Sequence, residues 1–297
     1  MNRSRLQIAK QDILRHFDQL PARILSLKDI SRHLNEQRDN WRLAQSASTT
    51  AFIEFLQNSG KLNVIKFPFP SPYKQVTRYV WSDASLYEVI LSIKPKGYFS
   101  HYTAMKFHGL TEQLPKTLYL NHEQFSSGVS VGKMTQGGID TAFLRRPRAT
   151  AYIAETKDFR LCILNGRNTG NLGVIEDDIV GEDGKPLGKL RLTNVERTLI
   201  DIAVRPVYAG GVFEVAKAYG LAQGRVSVNT LSAMLKKLDY AYPYHQTIGF
   251  YLERAGYKPA LLDLFRSVPF KFDFYLAHNM GKTDYVKSWR LHVPKGF

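Results

Sequence analysis

The segment LNVIKFPFPSPYKQVTRYVW, residues 62–81, contains two extended stretches separated by a proline-rich turn. Between residues 62 and 67, apolar side chains recur close to the two-residue period of a β-strand. Proline has no N–H group to donate to a strand ladder, so the prolines between residues 68 and 72 cannot continue this strand. The extended pattern resumes over residues 75–81. We therefore expect a β-hairpin with a proline-rich tip.

Three amphipathic helices are predicted before this hairpin. The first repeats apolar residues every three or four positions between residues 6 and 17 and stops at Pro21. The second begins at a capping-box pattern, in which Ser26 is followed three positions later by an acidic residue. The third is predicted from about Ser46 to Asn58. Three helices followed by a hairpin are typical of a winged helix-turn-helix, and a generic small α+β unit with a hairpin is the alternative.

The rest of the chain has a different pattern. Strand-like runs, including residues 117–121, 141–144 and 159–164, precede a region that is mostly helical from residue 195 onward. Strands followed by helices, without regular alternation, indicate an α+β fold rather than a doubly wound sheet. We predict a winged helix-turn-helix DNA-binding domain in residues 1–90, followed by a larger mixed α+β domain in residues 91–297.

The residues predicted to contact DNA lie in three parts of the first domain. In a helix-turn-helix, the early residues of the third helix face base edges in the major groove. Basic side chains in the connection before that helix are placed to reach base edges or phosphates, and those on the hairpin are suited to the phosphate backbone. The predicted contacts are Arg38 and Arg42 before the helix, Gln45, Ser46, Ser48, Thr49 and Thr50 at its start, and Lys61, Lys66, Lys74, Gln75 and Arg78 in the hairpin.

The charge distribution favours the same partner. Lys and Arg number 41 against 26 Asp and Glu, a net charge of +15. Residues 1–80 contain 13 basic and 6 acidic residues, whereas the remainder contains 28 and 20. The charge density is therefore more than twice as high in the first domain. Because neutralised phosphates release counterions, a basic surface of this kind favours a polyanion such as DNA.

The composition also predicts the compartment. The single cysteine, Cys162, lies in the apolar run of residues 161–164, which indicates a buried structural thiol in a reducing environment. No unbroken apolar segment follows Arg5, so we expect no signal peptide. No segment approaches the roughly 20 apolar residues that a membrane span needs. We expect a cytoplasmic protein without a membrane partner.

Motifs for catalysis are weak. Neither a phosphate-cradling Walker loop nor a Gly-x-Ser-x-Gly elbow is present in the sequence. His101 and His108 lack a third ligand at metal-site spacing. Asp140, Glu155 and Lys157 resemble the acidic pattern of some metal-dependent nucleases. We predict no catalytic residues, no metal and no cofactor, with a metal-dependent defence nuclease as the alternative.

Several short motifs of the second domain carry a resemblance to a known family. They are YFSHYTA at residues 98–104, FHGLT at 107–111, NVERTLID at 194–201, RP at 205–206 and YAGG at 208–211. In this order and spacing the chain resembles the AbiEi family, the antitoxin and transcriptional-regulator half of bacterial type IV toxin–antitoxin systems in phage defence. The resemblance covers roughly residues 5–265 and leaves the last thirty residues unassigned.

The resemblance implies a repressor that binds repeats in its own promoter. It also implies antagonism of a cognate nucleotidyltransferase-type toxin, without a stable complex between the two proteins. A solo regulator or a protein-binding module without a toxin is the alternative. Within the 194–201 motif, the residues themselves indicate a buried helix, with Asp201 and Arg205 four positions apart and suited to an intrahelical ion pair.

Overall fold

The computed structural model describes residues 4–125 and 134–297, and it divides into two compact units. The first unit comprises Met1–Pro95 with two short later segments, Ala154–Thr156 and Asp178–Lys189. The second unit comprises Lys96–Ile153, Lys157–Asp177 and Leu190–Phe297. Both contain helices and sheets, so the chain is of the α+β class.

Residues 4–95 of the first unit form short helices and an antiparallel sheet. The helices are α1 (Arg5–Ile8), α2 (Lys10–Asp18), α3 (Leu27–Gln37), α4 (Thr49–Asn58) and α5 (Leu86–Ile93). The strands are β1 (Ile24–Leu25), β2 (Leu62–Phe67) and β3 (Val76–Trp81), and their order in the sheet is β1-β3-β2. The β2–β3 register runs from Leu62 opposite Trp81 to Phe67 opposite Val76, which confirms the predicted hairpin.

The core of the first unit lies between α2, α3, α4 and this sheet. Phe17, Phe52 and Trp81 are almost fully buried and lie in one hydrophobic cluster. The capping box predicted at Ser26 is present, since its hydroxyl accepts from Asp29 N–H and the Asp29 carboxylate accepts from Ser26 N–H. These contacts stabilise the first turn of α3.

The chain from residue 96 onward contains the remaining elements. The strands are β4 (Tyr98–Phe99), β5 (Thr117–Gln124), β6 (Ile153–Glu155), β7 (Arg160–Arg167), β8 (Val174–Val180), β9 (Pro186–Thr193), β10 (Phe274–Tyr275), β11 (Thr283–Val286) and β12 (Leu291–Pro294). The helices are α6 (His101–Phe107), α7 (Gln136–Leu144), α8 (Val195–Val204), α9 (Val212–Leu221), α10 (Val228–Leu238), α11 (Tyr244–Arg254) and α12 (Pro259–Arg266), with 3₁₀ turns at Pro206–Tyr208 and Lys287–Trp289.

In the second unit, one sheet contains β7, β5, β4 and β9 as neighbouring strands, in that order. β5 and β7 are parallel, with Thr117 opposite Arg160 and Gln124 opposite Arg167. Beside this sheet, α8 and α11 are buried in a helical core that also contains Tyr219 and Trp289. The strand expected at residues 141–144 is wrong, because these residues form the last turn of α7, which Thr135 caps.

The last thirty residues, unassigned from the sequence, form part of this core. Phe274, Trp289 and Leu291 are fully buried, and the small sheet there has the order β10-β12-β11. The side-chain amide of Gln246 on α11 donates to the carbonyl oxygens of Phe272, Trp289 and Arg290. The C-terminal segment is therefore a structural part of the second unit.

A candidate nucleic-acid interface

The start of α4 presents a run of small polar side chains. Gln45, Ser46, Ser48 and Thr50 are exposed, while α4 turns Phe52 into the core. Ser48 caps the helix, because its hydroxyl accepts from Ala51 N–H at 3.2 Å. This cap explains why α4 begins at Thr49 rather than at about Ser46. Five of the predicted contact residues, Gln45, Ser46, Ser48, Thr49 and Thr50, therefore lie together at one helix N-terminus.

The helix preceding α4 contributes to the same place. The Thr49 hydroxyl lies 3.4 Å from the hydroxyl of Ser31 on α3. Lys28, three positions before Ser31, is exposed on the same side of α3, since residues three apart on a helix are neighbours. Lys28 is a cation that the sequence prediction omitted. The sequence signal for this exposure is that Lys28 lies outside the apolar spacing that buries one face of α3.

The two arginines of the loop between α3 and α4 differ in role. Arg38 folds back on the loop, where its guanidinium donates to the carbonyl oxygens of Ala44 at 2.6 Å and Ala47 at 3.2 Å. Arg38 therefore shapes the loop that leads to α4. Arg42 is exposed, and its φ of 52° places it in the left-handed region. A non-glycine residue in that region costs free energy, and such residues cluster at functional sites.

At the hairpin, Lys66, Lys74 and Gln75 are exposed. Neither lysine forms an ion pair with any residue in 4–125 or 134–297. Lys66 projects from β2, and Lys74 and Gln75 follow the proline-rich tip directly before β3. Their charges are available to a phosphate backbone.

The other two basic residues of the hairpin make internal contacts. Lys61 donates to the Asp18 carboxylate at 2.8 and 2.9 Å, and Trp81 Nε1 donates to the same group at 3.0 Å. These hydrogen bonds lower the pKa of Asp18. Arg78 donates through Nε to the Ser92 hydroxyl at 2.9 Å and through Nη2 to the Ser92 carbonyl at 3.0 Å, and burial lowers its pKa. Both side chains tie secondary-structure elements together.

Two second-unit residues considered for catalysis or metal binding, Asp140 and His108, form hydrogen bonds within the fold. The Asp140 carboxylate accepts from Gln136 Nε2 at 2.8 Å and from the Tyr275 hydroxyl at 3.0 Å. His108 Nε2 lies 2.6 Å from the Thr193 carbonyl oxygen and donates to it. In the part of the chain that the structure describes, no group of three or more His, Cys, Asp or Glu could hold a metal ion.

Comparisons with known proteins bear on the fold alone. No protein-family model matches the chain, and no curated protein matches it either. A solved protein from Mycobacterium tuberculosis has a similar structure, with a TM-score of 0.58 and 13% sequence identity over 96% of this chain and 91% of that chain. The described helices of this chain include none that is long and apolar enough to cross a membrane.

Proposed function

We propose that this chain is a cytoplasmic transcriptional regulator whose first unit is a winged helix-turn-helix bound to double-stranded DNA. The observation that carries the proposal is the exposed polar and basic surface at the start of α4 and along the β2–β3 hairpin. In this reading α4 enters the major groove, and the hairpin is the wing that contacts phosphates. The proposal requires no cofactor, metal or catalytic residue.

The element order supports a winged helix-turn-helix. The chain runs α2, β1, α3, α4, β2, β3, with α3 and α4 packed against each other through a shared apolar cluster. β1 pairs with β3 over residues 24–25, so the hairpin is anchored beside the helices while its tip, residues 68–75, extends beyond the pairing. A helix pair followed by an anchored hairpin is the arrangement that lets both contact one duplex.

The predicted basic DNA contacts that are exposed and form no internal ion pair define the test variant. Arg42, Lys66 and Lys74 are exposed and unpaired in the structure as described, so replacing them with glutamine removes three charges without breaking an internal ion pair. We expect the triple variant to bind a duplex from the upstream region of the gene more weakly by about 3 kcal/mol, on the order of a hundredfold. Fluorescence anisotropy with a labelled duplex measures this change in Kd.

A matched control is available on the second unit. Lys217, Arg254 and Lys258 are exposed, and their replacement by glutamine removes the same one arginine and two lysines. We expect this variant to bind the duplex within about threefold of the wild type, because none of its three side chains belongs to the proposed interface. Equal losses in both triple variants would contradict a localised interface.

The antitoxin role is a separate proposal, and it rests on the resemblance of residues 98–111 and 194–211 to the AbiEi family. Under it, the chain represses its own operon by binding promoter repeats and antagonises a nucleotidyltransferase-type toxin without forming a stable complex. Co-expression with the product of an adjacent nucleotidyltransferase gene tests it. Rescue of growth is the expected result, and unrelieved toxicity would favour a solo regulator.

A further inference from the structure

A cavity of about 890 Å³ opens in the second unit. Its wall includes residues 164–167 at the carboxyl end of β7 and Asn121 on the parallel strand β5. The carboxyl ends of parallel strands are a recurrent place for ligand binding. The volume falls within the range of roughly 300–1,000 Å³ that is typical of small-molecule sites. The cavity is therefore large enough for a ligand with several functional groups.

The wall of this cavity is strongly cationic. Six arginines line it, namely Arg145, Arg146, Arg148, Arg167, Arg197 and Arg205, and Asp201 is the carboxylate among the lining residues. Asp201 is already paired with Arg197 Nε at 2.8 Å. Asp201 forms no ion pair with Arg205, so the pairing expected from the sequence is wrong. Arg205 lies at the C-cap of α8, where the backbone has left the helix.

Several of these guanidinium groups have no anionic partner among the described residues. Arg145, Arg146, Arg148 and Arg205 form no ion pair with any residue that the structure describes. Arg167 differs, because it donates to the carbonyl oxygens of Leu238 and Asp239 at the end of α10. Like charges placed around one cavity repel each other, and an anion relieves that repulsion. The cavity is therefore suited to a ligand with more than one negative charge.

Tyrosine rings form the other part of the wall. Tyr208, Tyr240 and Tyr242 line the cavity and are each partly exposed. The Arg167 guanidinium lies 5.9 Å from the centre of the Tyr240 ring. Aromatic rings and arginine planes provide stacking surfaces for a nucleobase. A purely inorganic anion would not need these surfaces.

One lining residue has a strained backbone. His101, between β4 and α6, has a φ of 51°, and its side chain is buried. Its Nδ1 lies 2.9 Å from the Ser100 hydroxyl. Burial lowers the pKa of His101 to about 4, so the ring is neutral at pH 7 and offers one donor and one acceptor. Residues with such a backbone conformation cluster at active sites and ligand clamps, so the position of His101 in this wall favours a ligand site.

We propose that this cavity binds a phosphorylated nucleoside, with its phosphates on Arg145, Arg146 and Arg205 and its base against the tyrosines. The ligand is a free nucleotide or the phosphorylated end of a single strand, since both present the same phosphate and base. This site is separate from the proposed DNA-binding surface of the first unit, so the two proposals can fail independently.

Isothermal titration calorimetry on the full-length chain tests the proposal with four probes: ATP, GTP, a 5′-phosphorylated single-stranded oligonucleotide and tripolyphosphate. We expect saturable binding of at least one of the first three at one site per chain. Preference for a nucleoside triphosphate identifies a free nucleotide, and preference for the oligonucleotide identifies a strand end. Two results overturn the proposal. One is that tripolyphosphate binds as tightly as the preferred probe among the other three, and the other is that none of those three shows saturable binding.

Variants then locate the site. Arg145→Gln/Arg146→Gln changes two exposed side chains, so we expect the variant to keep the fold of the wild type. We expect this double variant to weaken binding of the preferred probe by about ten- to a hundredfold, as lost charge-assisted hydrogen bonds imply. Arg15→Gln/Arg254→Gln removes the same charge elsewhere and should bind as the wild type does. Equal affinity in both double variants contradicts binding in this cavity.

Discussion

Replacing Gly249 by alanine is expected to destabilise the second unit by about 3 kcal/mol, the upper end of what overpacking a buried site costs. Gly249 lies on α11 and is buried against the ring of Trp289. A Cβ atom there would come within 3.0 Å of Trp289 Cε3 and nearer still to two other ring carbons. The indole is fully buried and donates to Glu253 Oε2 at 2.7 Å, so it has no free space to move.

Gly220 offers a matched control for this change. It lies on α9, and apart from its chain neighbours and the backbone of its own helix, no described atom lies within 4 Å of a Cβ placed there. Alanine at position 220 should therefore gain helix propensity without a clash and stabilise the chain by roughly 0.5–1 kcal/mol. Urea unfolding followed by circular dichroism compares the two variants. Similar free energies of unfolding for both would contradict the packing of α11 against Trp289.

Replacing Arg197 by methionine is expected to cost about 3–5 kcal/mol, because it leaves a buried carboxylate without its partner. The side chains of Arg197 and Asp201 are only 6% and 8% exposed, and Arg197 also donates to the Leu172 carbonyl at 2.6 Å. Burial alone would lower the pKa of Arg197, but the adjacent Asp201 carboxylate outweighs burial and raises it. The guanidinium therefore remains charged at neutral pH.

A double variant separates the ion pair from simple packing. Arg197→Met/Asp201→Leu removes both charges and places apolar side chains in a similar volume, a change that is often close to neutral for buried pairs. We expect the double variant to be more stable than Arg197→Met alone, measured as the free energy of unfolding in urea. A double variant that is less stable than the single one would show that the carboxylate has other essential partners.

The elements of the first unit were predictable because their signals are local. A capping box at Ser26, apolar spacing in three helices and a proline-rich turn each act within a few residues. The error at residues 141–144 has the same origin. A four-residue apolar run has no distinct period, and the helix is set by the Thr135 cap, whose hydroxyl accepts from Gly138 N–H.

The candidate nucleic-acid interface was less predictable, because two of its basic side chains bind residues that are far away in the sequence. Lys61 binds Asp18, 43 residues earlier, and Arg78 binds Ser92 on the following helix. No local pattern indicates such pairs, so both residues looked like phosphate contacts. The arginine cavity could not be predicted as a whole from the sequence, because its arginines come from separate segments, at residues 145–148, 167, 197 and 205. The short run of basic residues at 145–148 was the one local signal.

The most direct test of the central claim is the salt dependence of duplex binding, measured by anisotropy for the wild type and for Arg42→Gln/Lys66→Gln/Lys74→Gln. Each phosphate contact contributes about 0.9 to the slope of log K against log salt concentration. If α4 and the hairpin contact a duplex, the wild type should show a steep slope and the variant a slope shallower by roughly 2–3. Equal slopes, or no duplex binding by the wild type at low salt, would contradict the proposed interface.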